Sequence, residues 1–322
     1  KAESPGPIKS KLVPRVGGTA KILYTIYIVL TAAEAVALRI AGMSWFDAVN
    51  HAFTTMATGG FSVRNTSISS YQSDAITWVI IVFTFLAGIN FSLLYAVVRG
   101  RIKDALRSEE LRWYLLILAI TITLICVDLH VELGQGWYES AKDAAFQATT
   151  IMSTTGYATK DFTLWPTFSR CILVLLMYVG GCAGSTAGGI KVSRLMLQVK
   201  SLRRELDHII HPNRVSVITM YGQSVDERAV TSAHMFQVAY LLVLMAGTLV
   251  VSLDVLGFTE SFVASLTCVS NVGPSLGALG PMANFAPLSW FSKLVLTLIM
   301  LMGRLELMPL LVLLSPSTWR NK

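Results

Sequence analysis

Three short segments combine threonine, asparagine and glycine in a way that could present backbone oxygens to a cation. They are Thr58-Gly59-Gly60, Thr154-Thr155-Gly156 and Asn271-Val272-Gly273. Glycine adopts a positive φ without steric cost, so it allows a chain to turn its carbonyl groups toward a common axis. None of the segments contains Asp or Glu. The ligands would therefore be neutral carbonyl dipoles, which can replace the hydration shell of a monovalent cation.

The three segments occur at equivalent places in an internal repeat. In each copy an acidic residue is followed seven positions later by threonine and thirteen positions later by glycine. The second copy lies 96 residues after the first, and the third lies a further 117 residues on. The copies are Asp47, Thr54, Gly60; Asp143, Thr150, Gly156; and Glu260, Thr267, Gly273. A match of this kind at fixed spacing indicates repeated structural units.

A short helix is predicted directly before each segment. Three pairs have or approach the spacing of a capping box: Ser44/Asp47, Ser140/Asp143 and the weaker Gly257/Glu260. About 13 residues without proline or glycine follow, enough for a helix of roughly 20 Å. We therefore expect pore helices at 45–57, 141–153 and 258–270, each too short to cross a bilayer.

The end of such a half-helix favours a cation. Its C-terminus carries a partial negative charge and would point toward the bilayer centre if the helix enters from outside. Non-helical backbone at that depth is tolerated only where it is buried in protein or lines a water-filled cavity. The alternative is a re-entrant kink that only packs against its neighbours. Three copies in register favour an ion pathway.

Composition places these repeats in a membrane. The 322 residues are 53% hydrophobic and 14% charged, against about 25% charged in soluble domains. This excludes a soluble enzyme, a disordered protein and a disulfide-rich secreted module. Six apolar stretches could each cross ~30 Å of hydrocarbon: 22–41, 75–98, 111–129, 168–187, 233–256 and 288–314.

Basic residues lie in alternate connections between these stretches. Lys and Arg precede the first stretch, lie between the second and third, lie between the fourth and fifth, and end the chain. The positive-inside rule then predicts that both termini of this chain are cytoplasmic. The net charge of +7 is thus a signal of topology, and no nucleic-acid partner is expected. The chain divides into three parallel units of span, pore helix and span at 1–100, 101–206 and 207–322.

The fourth apolar stretch contains a glycine-rich interruption. Five glycines in ten residues, at ~1 kcal/mol each relative to alanine, disfavour a continuous helix; they are Gly180, Gly181, Gly184, Gly188 and Gly189. Three interpretations compete. The glycines could form a small-xxx-small packing face, a phosphate-binding loop, or an unwound loop inside the membrane. The phosphate-binding loop is disfavoured because Ile190 displaces the required lysine and no strand precedes it.

Arg304 lies inside the last apolar stretch. An arginine at the centre of a membrane helix costs ~3 kcal/mol on insertion scales, so it is expected to face protein or water and to have a partner. Either it is a structural residue bonded to loop carbonyls, or it supplies a positive charge at a pore constriction. Both interpretations stay open on the residues alone.

Together these motifs resemble the Trk/Ktr/HKT superfamily of potassium transporters, and in particular its bacterial Trk H type of membrane subunit. The resemblance covers essentially the whole chain. It is carried by the pore segments, by Gly180-Gly-Cys-Ala-Gly-Ser-Thr-Ala-Gly-Gly-Ile-Lys191, by His211-Pro212-Asn213 and by Met302-Gly-Arg304-Leu-Glu306. It implies an all-α membrane protein with K⁺-channel-like units in pseudo-fourfold symmetry. This chain resembles units two to four, so the first unit is expected to be missing from it.

The resemblance also implies a role for each motif. The potassium filter would consist of Thr58, Gly59, Gly60, Thr154, Thr155, Gly156, Asn271, Val272 and Gly273. The gate would consist of Gly180, Gly181, Gly184, Ser185, Thr186, Gly188, Gly189, Lys191 and Arg304. K⁺ would be the transported ion, with no organic cofactor. The implied setting is the lipid of a bacterial inner membrane, as a homodimer that docks a cytosolic nucleotide-binding ring of the RCK/KTN type.

Two other functional classes are alternatives. One is a Na⁺- or H⁺-coupled secondary transporter with broken helices around a midplane site. The other is an intramembrane enzyme, but the sequence contains no HExxH motif and its five histidines are scattered along the chain. We therefore expect no enzymatic activity. Whether potassium flux is channel-like or coupled to another ion stays open, as does the signal that opens the gate.

Overall fold

The structure is a computed structural model that describes residues 16–213, 216–254, 256–305 and 307–314. Within these ranges the chain is almost entirely helical. The outermost parts of the predicted units, both termini and Glu306 of the last motif lie outside the described residues.

The first predicted unit contains four helices. They are α1 (Val16–Ile40), α2 (Trp45–Met56), α3 (Asp74–Ala87) and α4 (Phe91–Val98), with a 3₁₀ turn at Ser67–Tyr71. Helix α2 occupies the position expected for the first pore helix. It begins where its cap predicts, because the Ser44 hydroxyl accepts a hydrogen bond of 3.1 Å from the Asp47 backbone N–H.

The second unit has the same order of span, pore helix and span, but its pore helix begins at a different N-cap residue. Its helices are α5 (Ile102–Leu106), α6 (Glu109–Leu133), α7 (Trp137–Met152), α8 (Thr167–Tyr178) and α9 (Val192–Ile210), with a 3₁₀ turn at Phe162–Leu164. The predicted capping role of Ser140 is wrong. Helix α7 begins one turn earlier, after Gly136, since no breaker lies between Gly136 and Ser140. Ser140 is consequently buried inside the helix.

The third unit begins with a small hairpin. Strands β1 (Thr219–Met220) and β2 (Gln223–Ser224) pair antiparallel. The helices that follow are α10 (Glu227–Val251), α11 (Phe258–Ser270), α12 (Trp290–Arg304) and α13 (Leu307–Leu314), with 3₁₀ turns at Ser252–Asp254 and Gly277–Leu279. The Glu260 carboxylate accepts a bond of 3.3 Å from the Gly257 N–H, which supports the start of α11.

Three helices of the described part are individually long and apolar enough to cross a membrane. They are α1 over Ala20–Ile40, α6, and α10 together with its 3₁₀ turn. These are the opening helices of the three units. The prediction of one continuous span at 75–98 is wrong, because α3 and α4 are separate helices. In the stretch 288–314, α12 ends at Arg304 and α13 begins at Leu307. Helix α8 ends at Tyr178, inside the stretch 168–187.

The break between α3 and α4 bends the chain by 104°. Asn90 starts the second helix, because its side-chain oxygen accepts a hydrogen bond of 2.8 Å from the Ser92 N–H. The glycine-rich residues of the second unit form backbone hydrogen bonds with the residues at this bend. Phe91 N–H donates to the Gly184 carbonyl at 3.1 Å, and Cys182 N–H donates to the Gly88 carbonyl at 2.9 Å. The first unit therefore bends around the loop of the second.

The three pore helices are buried to different extents. From Ser140 onward α7 is buried on nearly every side, and so is most of α11. Helix α2 is buried on one face and exposes large apolar side chains on the other, among them Trp45, Phe46 and Phe53. The pore helices of the second and third units thus form the centre of the fold, while that of the first unit lies at its edge.

Candidate ion pathway

The three predicted filter segments share one backbone conformation. The first residue of each has a positive φ: 51° at Thr58, 56° at Thr154 and 59° at Asn271. The third residue is a glycine with a positive φ of 64°, 83° or 114°, at Gly60, Gly156 and Gly273 respectively. A side chain other than that of glycine is uncommon in this region, so its recurrence at three equivalent positions marks a shared turn. The sequence repeat is therefore a repeat of backbone geometry.

The repeated threonine of each pore helix holds its segment in place. The carbonyl groups of Thr54, Thr150 and Thr267 accept hydrogen bonds of 2.7, 2.9 and 2.9 Å from the second residues of their segments, Gly59, Thr155 and Val272. The hydroxyl groups of these threonines bond to the backbone at or just after the end of each segment. The Thr54 hydroxyl donates to the Phe61 carbonyl at 2.8 Å. The Thr150 hydroxyl accepts from the Tyr157 N–H at 2.9 Å, and the Thr267 hydroxyl accepts from the Gly273 N–H at 2.9 Å. One side chain thus ties each helix end to the turn that follows it.

Neighbouring segments contact each other in chain order. A methyl group placed on Gly60 would lie 1.7 Å from the Thr155 carbonyl oxygen, and one placed on Gly156 would lie 1.9 Å from the Val272 carbonyl oxygen. Both positions therefore exclude any side chain, in addition to their positive φ. At Gly273 a methyl group would meet none of the described atoms within 4 Å. The three turns form a continuous series with one open side.

The glycine-rich residues form a compact loop between α8 and α9. Its two ends pair with each other, since Gly180 N–H donates to the Ile190 carbonyl at 2.8 Å and Val192 N–H donates to the Gly181 carbonyl at 3.2 Å. A methyl group on Gly180 would lie 2.1 Å from the Gly188 carbonyl oxygen. The close approach of the two loop ends explains the glycine at this position.

This loop lies directly against the filter segments. The Thr186 carbonyl accepts a hydrogen bond of 2.8 Å from the Thr58 hydroxyl. The Gly188 N–H donates to the Thr154 hydroxyl at 2.6 Å. The loop is therefore bonded to the first residues of two segments, on the side of the pore-helix ends.

Two other predicted gate residues bond within the loop. The Ser185 hydroxyl donates to the Cys182 carbonyl at 2.6 Å, and the Lys191 ammonium donates to the Ala187 carbonyl. Gly189 has a positive φ of 64°, which helps the chain turn back toward α9. These contacts shape the loop itself.

Arg304 joins the loop to the first segment. It is the last residue of α12, so it lies at a helix end. Its guanidinium donates to the Thr186 carbonyl at 2.9 Å and to the Ala57 carbonyl at 3.5 Å. The side chain is bonded to loop carbonyls and also places a positive charge beside Thr58. These bonds agree with a structural role for Arg304, and a charge at a pore constriction stays a prediction.

Residues 2–321 match the family described as TrkH, a cation transport protein. The chain belongs to the TrkH family. The Trk system potassium uptake protein TrkH of Salmonella typhimurium is 36% identical over 327 residues, which cover the whole chain and 67% of that relative. The protein TrkG of Escherichia coli is 34% identical over 326 residues, covering 99% of this chain and 66% of that relative.

A solved structure of the family has the same fold. The crystal structure of the potassium transporter TrkH from Vibrio parahaemolyticus matches with a TM-score of 0.89 and 35% identity, over 96% of this chain and 66% of that one. The chain spans about two thirds of the length of the relatives it matches. The predicted superfamily is confirmed, as are a largely helical membrane fold and a non-enzymatic role in ion transport.

In this member of the TrkH family the acidic residues of the repeat make contacts that sequence reasoning missed. Asp47 pairs with Arg64 at 3.1 Å and accepts a bond of 2.8 Å from the Tyr71 hydroxyl. Asp143 pairs with Lys160 at 2.7 Å. Arg64 and Lys160 are themselves 96 residues apart, so extending the repeat to basic residues would have found them.

The third acidic residue makes a comparable contact through a hydrogen bond to backbone. Glu260 accepts a hydrogen bond of 3.0 Å from the Ala278 N–H, beyond its predicted filter segment. In all three units, a carboxylate near the start of the predicted pore helix therefore anchors the chain that follows the predicted filter segment.

Proposed function

We propose that this chain forms most of a pore for potassium uptake, in which carbonyl groups of 58–60, 154–156 and 271–273 face one axis. The observation that carries the proposal is the contact between neighbouring segments at Gly60 and Gly156. Equivalent turns that meet in chain order are what a ring around a single axis requires. The relatives supply the identity of the ion, because they are named potassium uptake proteins.

A fourth unit is part of this proposal. The open side of Gly273 and the exposed apolar face of α2 lie at the two ends of the series of turns. A further unit of span, pore helix and span, placed between the first and third units, would cover both surfaces. The pseudo-fourfold ring would then be complete.

The gate in this proposal is the loop 180–191 together with Arg304. The contacts that support it are the bonds from Thr58 and Arg304 to the Thr186 carbonyl. A fixed positive charge close to the path of a cation raises the energy of that cation, most strongly where the surroundings are of low dielectric constant. Ion flow would therefore require the loop and the guanidinium to move from the positions described here.

The filter is tested by Gly156→Ser. A side chain at this position meets the Val272 carbonyl and also requires a positive φ, so it must displace the turn. We expect the preference for K⁺ over Na⁺ to fall by about tenfold or more, which corresponds to a loss of ~1.4 kcal/mol in differential binding. Relative permeability is measured from Rb⁺ and Na⁺ fluxes into proteoliposomes.

Gly134→Ser is the matched control. Gly134 also has a positive φ, of 63°, but a methyl group there would meet no described atom within 4 Å. We expect Gly134→Ser to leave the ion preference unchanged. Equal preference in Gly156→Ser and the unsubstituted protein would refute the filter assignment.

A Na⁺- or H⁺-coupled secondary transporter is the second candidate. The observation that favours it is the interrupted closing helix of the first two units, at the bend between α3 and α4 and at the loop after α8. Broken helices are typical of midplane sites in such transporters. Potassium uptake that follows an imposed pH or sodium gradient at zero K⁺ gradient would support coupling. Uptake that depends only on the K⁺ gradient and the membrane voltage would support the channel-like pore.

The proposed setting is a bacterial inner membrane with both termini of this chain on the cytoplasmic side. Helix α9 and the following hairpin would then face the cytoplasm. Basic residues on α9, including Lys200, Arg203 and Arg204, suit this side of the membrane. We propose that the protein acts as a homodimer and that a cytosolic nucleotide-binding ring of the RCK/KTN type docks on this face.

A further inference from the structure

The base of the glycine-rich loop is held by a single buried carboxylate, that of Glu110 in the first turn of α6. Its Oε1 atom accepts a hydrogen bond of 2.7 Å from the Ala183 N–H and one of 3.2 Å from the Ser193 N–H. The residue is only 2% exposed. Ala183 lies in the first half of the loop and Ser193 lies in the first turn of α9, just after the loop, so one oxygen atom bonds to the chain at both places.

The other oxygen of this carboxylate reaches the hairpin β1–β2. The Glu110 Oε2 atom accepts a hydrogen bond of 3.2 Å from the Tyr221 hydroxyl. The same hairpin has a second attachment next to it, in which Lys200 donates to the Thr219 carbonyl at 2.6 Å and pairs with Glu109 at 2.5 Å. The start of α6 thus contacts the loop, helix α9 and the hairpin at one point.

The backbone at Tyr221 shows that this side chain is held in place against its local preference. Tyr221 and Gly222 form the two-residue turn of the hairpin, with φ of 52° and 74°. Two positive φ values are characteristic of a type I′ turn, in which asparagine followed by glycine is preferred. A bulky residue at positive φ is a local outlier that persists only when its surroundings determine it. Here the bond to Glu110 is such a determinant.

We propose that Glu110 is the positioning residue that fixes the loop 180–191 beneath the filter segments and links it to the hairpin, so that a pull on the hairpin releases the loop. The inference rests on the proposed function, in which that loop is the gate. Displacing the hairpin removes the Tyr221 bond. The carboxylate is then free to turn away from the Ala183 and Ser193 N–H groups. A cytosolic partner that contacts the hairpin could use this route to open the pathway.

Two substitutions test the link. Glu110→Ala removes the acceptor of the Ala183 and Ser193 N–H groups together with the partner of Tyr221, and Tyr221→Asn removes the hydroxyl while placing the residue that the turn prefers. Tyr221→Asn should therefore keep the hairpin folded and still weaken the hold on the loop. In the complete protein in lipid nanodiscs, we expect amide hydrogen exchange of peptides covering 180–193 to accelerate by about tenfold in Glu110→Ala. A smaller increase is expected in Tyr221→Asn. Rb⁺ uptake into proteoliposomes should rise in the same order.

The controls are Glu132→Ala, at an exposed residue near the far end of the same helix, and Tyr138→Phe, at an exposed tyrosine in the first turn of α7. Both should leave loop exchange and uptake unchanged. Unchanged exchange of 180–193 in Glu110→Ala would overturn the proposal. A change in Glu110→Ala with none in Tyr221→Asn would overturn the link to the hairpin, and faster exchange without higher uptake would overturn its role in gating.

Failure of the inference is distinguishable from failure of the proposed function. The Gly156→Ser experiment reads ion preference and does not depend on Glu110. If Gly156→Ser changes the preference for K⁺ over Na⁺ but substitution of Glu110 leaves amide exchange of 180–193 unchanged, only the inference is wrong. If Gly156→Ser leaves the ion preference unchanged, the pore assignment itself is wrong.

Discussion

The carbonyl oxygen of Thr186 has two donors from different units of the chain. Thr58 in the first filter segment donates to it at 2.8 Å, and Arg304 at the end of α12 donates to it at 2.9 Å. A carbonyl oxygen has two lone pairs, so both bonds can form together. One atom of the loop therefore fixes both the side chain of a filter residue and the nearby positive charge.

Arg304→Ala is expected to raise potassium flux severalfold. The substitution removes the positive charge next to the pathway and one of the two bonds that hold Thr186. Arg304→Lys keeps the charge but loses the planar donor pair, so its flux should lie between those of alanine and arginine. The measurement is Rb⁺ uptake into proteoliposomes at matched protein content.

Arg228→Ala provides the control, because Arg228 is an exposed residue in the first turn of α10. It should not alter uptake. Reduced or unaltered uptake in well-folded Arg304→Ala protein would show that the arginine only supports the structure.

The residues found from sequence are those that recur, and those missed have partners far along the chain. Thr54, Thr150 and Thr267 were evident from their spacing, and each proves to bond its own segment. Glu110 and Tyr221 are 111 residues apart and belong to no repeat. Their proximity is a product of tertiary packing, and no local pattern in the sequence records it.

At the scale of secondary structure, the closing helix of the first unit is interrupted where the loop of the second unit supplies backbone partners. Gly88 and Asn90 are turn and capping residues visible in the sequence, but they lie in an otherwise apolar run of 24 residues (75–98). The decisive contacts come from Gly184 and Cys182 in the loop of the second unit. Hydropathy predicts the extent of an apolar stretch and cannot show where a distant loop will interrupt it.

The ion pair of the second unit is predicted to contribute to stability. Lys160→Met leaves the buried Asp143 carboxylate without its partner. Because Lys160 itself is half exposed, we expect the free energy of unfolding to fall by about 1–2 kcal/mol, less than the 3–5 kcal/mol seen for a fully buried pair. The measurement is the thermal unfolding midpoint of the detergent-solubilised protein.

Arg101→Met is the comparison, since Arg101 pairs with Asp104 on the surface. Exposed pairs contribute little, so its midpoint should not change. Equal midpoints for the two variants would mean that the contact between α7 and the chain leaving the filter has no stabilising role.

At the scale of the whole molecule, the three predicted pore helices have equivalent places in the repeat but are not equally buried. Phe53 on α2 is 56% exposed, although the corresponding surfaces of α7 and α11 are buried. Composition and charge were sufficient to predict a helical membrane protein. The proposal of a covering unit on one side rests on a comparison of burial among the repeats, which only the structure provides.

Phe53→Ala tests whether a fourth unit covers α2 in the complete protein. If it does, this truncation removes a packed ring and should destabilise by about 3 kcal/mol, as for a core phenylalanine. Phe168→Ala is the matched control, because Phe168 is 52% exposed on α8 and would face lipid. Thermal midpoints are compared in the complete protein. An equal, small shift in both variants would contradict the closed ring.

The contacts between filter segments have a direction. The glycine that ends one segment lies against the middle residue of the next, Gly60 against Thr155 and Gly156 against Val272. The carbonyl oxygens that a larger residue would meet belong to the backbone, so no substitution in the following segment removes them. Among related sequences, positions 60 and 156 should therefore stay glycine whatever residues stand at 155 and 272. The backbone contact from each segment to the next should thus constrain the evolution of these segments more strongly than the identity of their middle residues does.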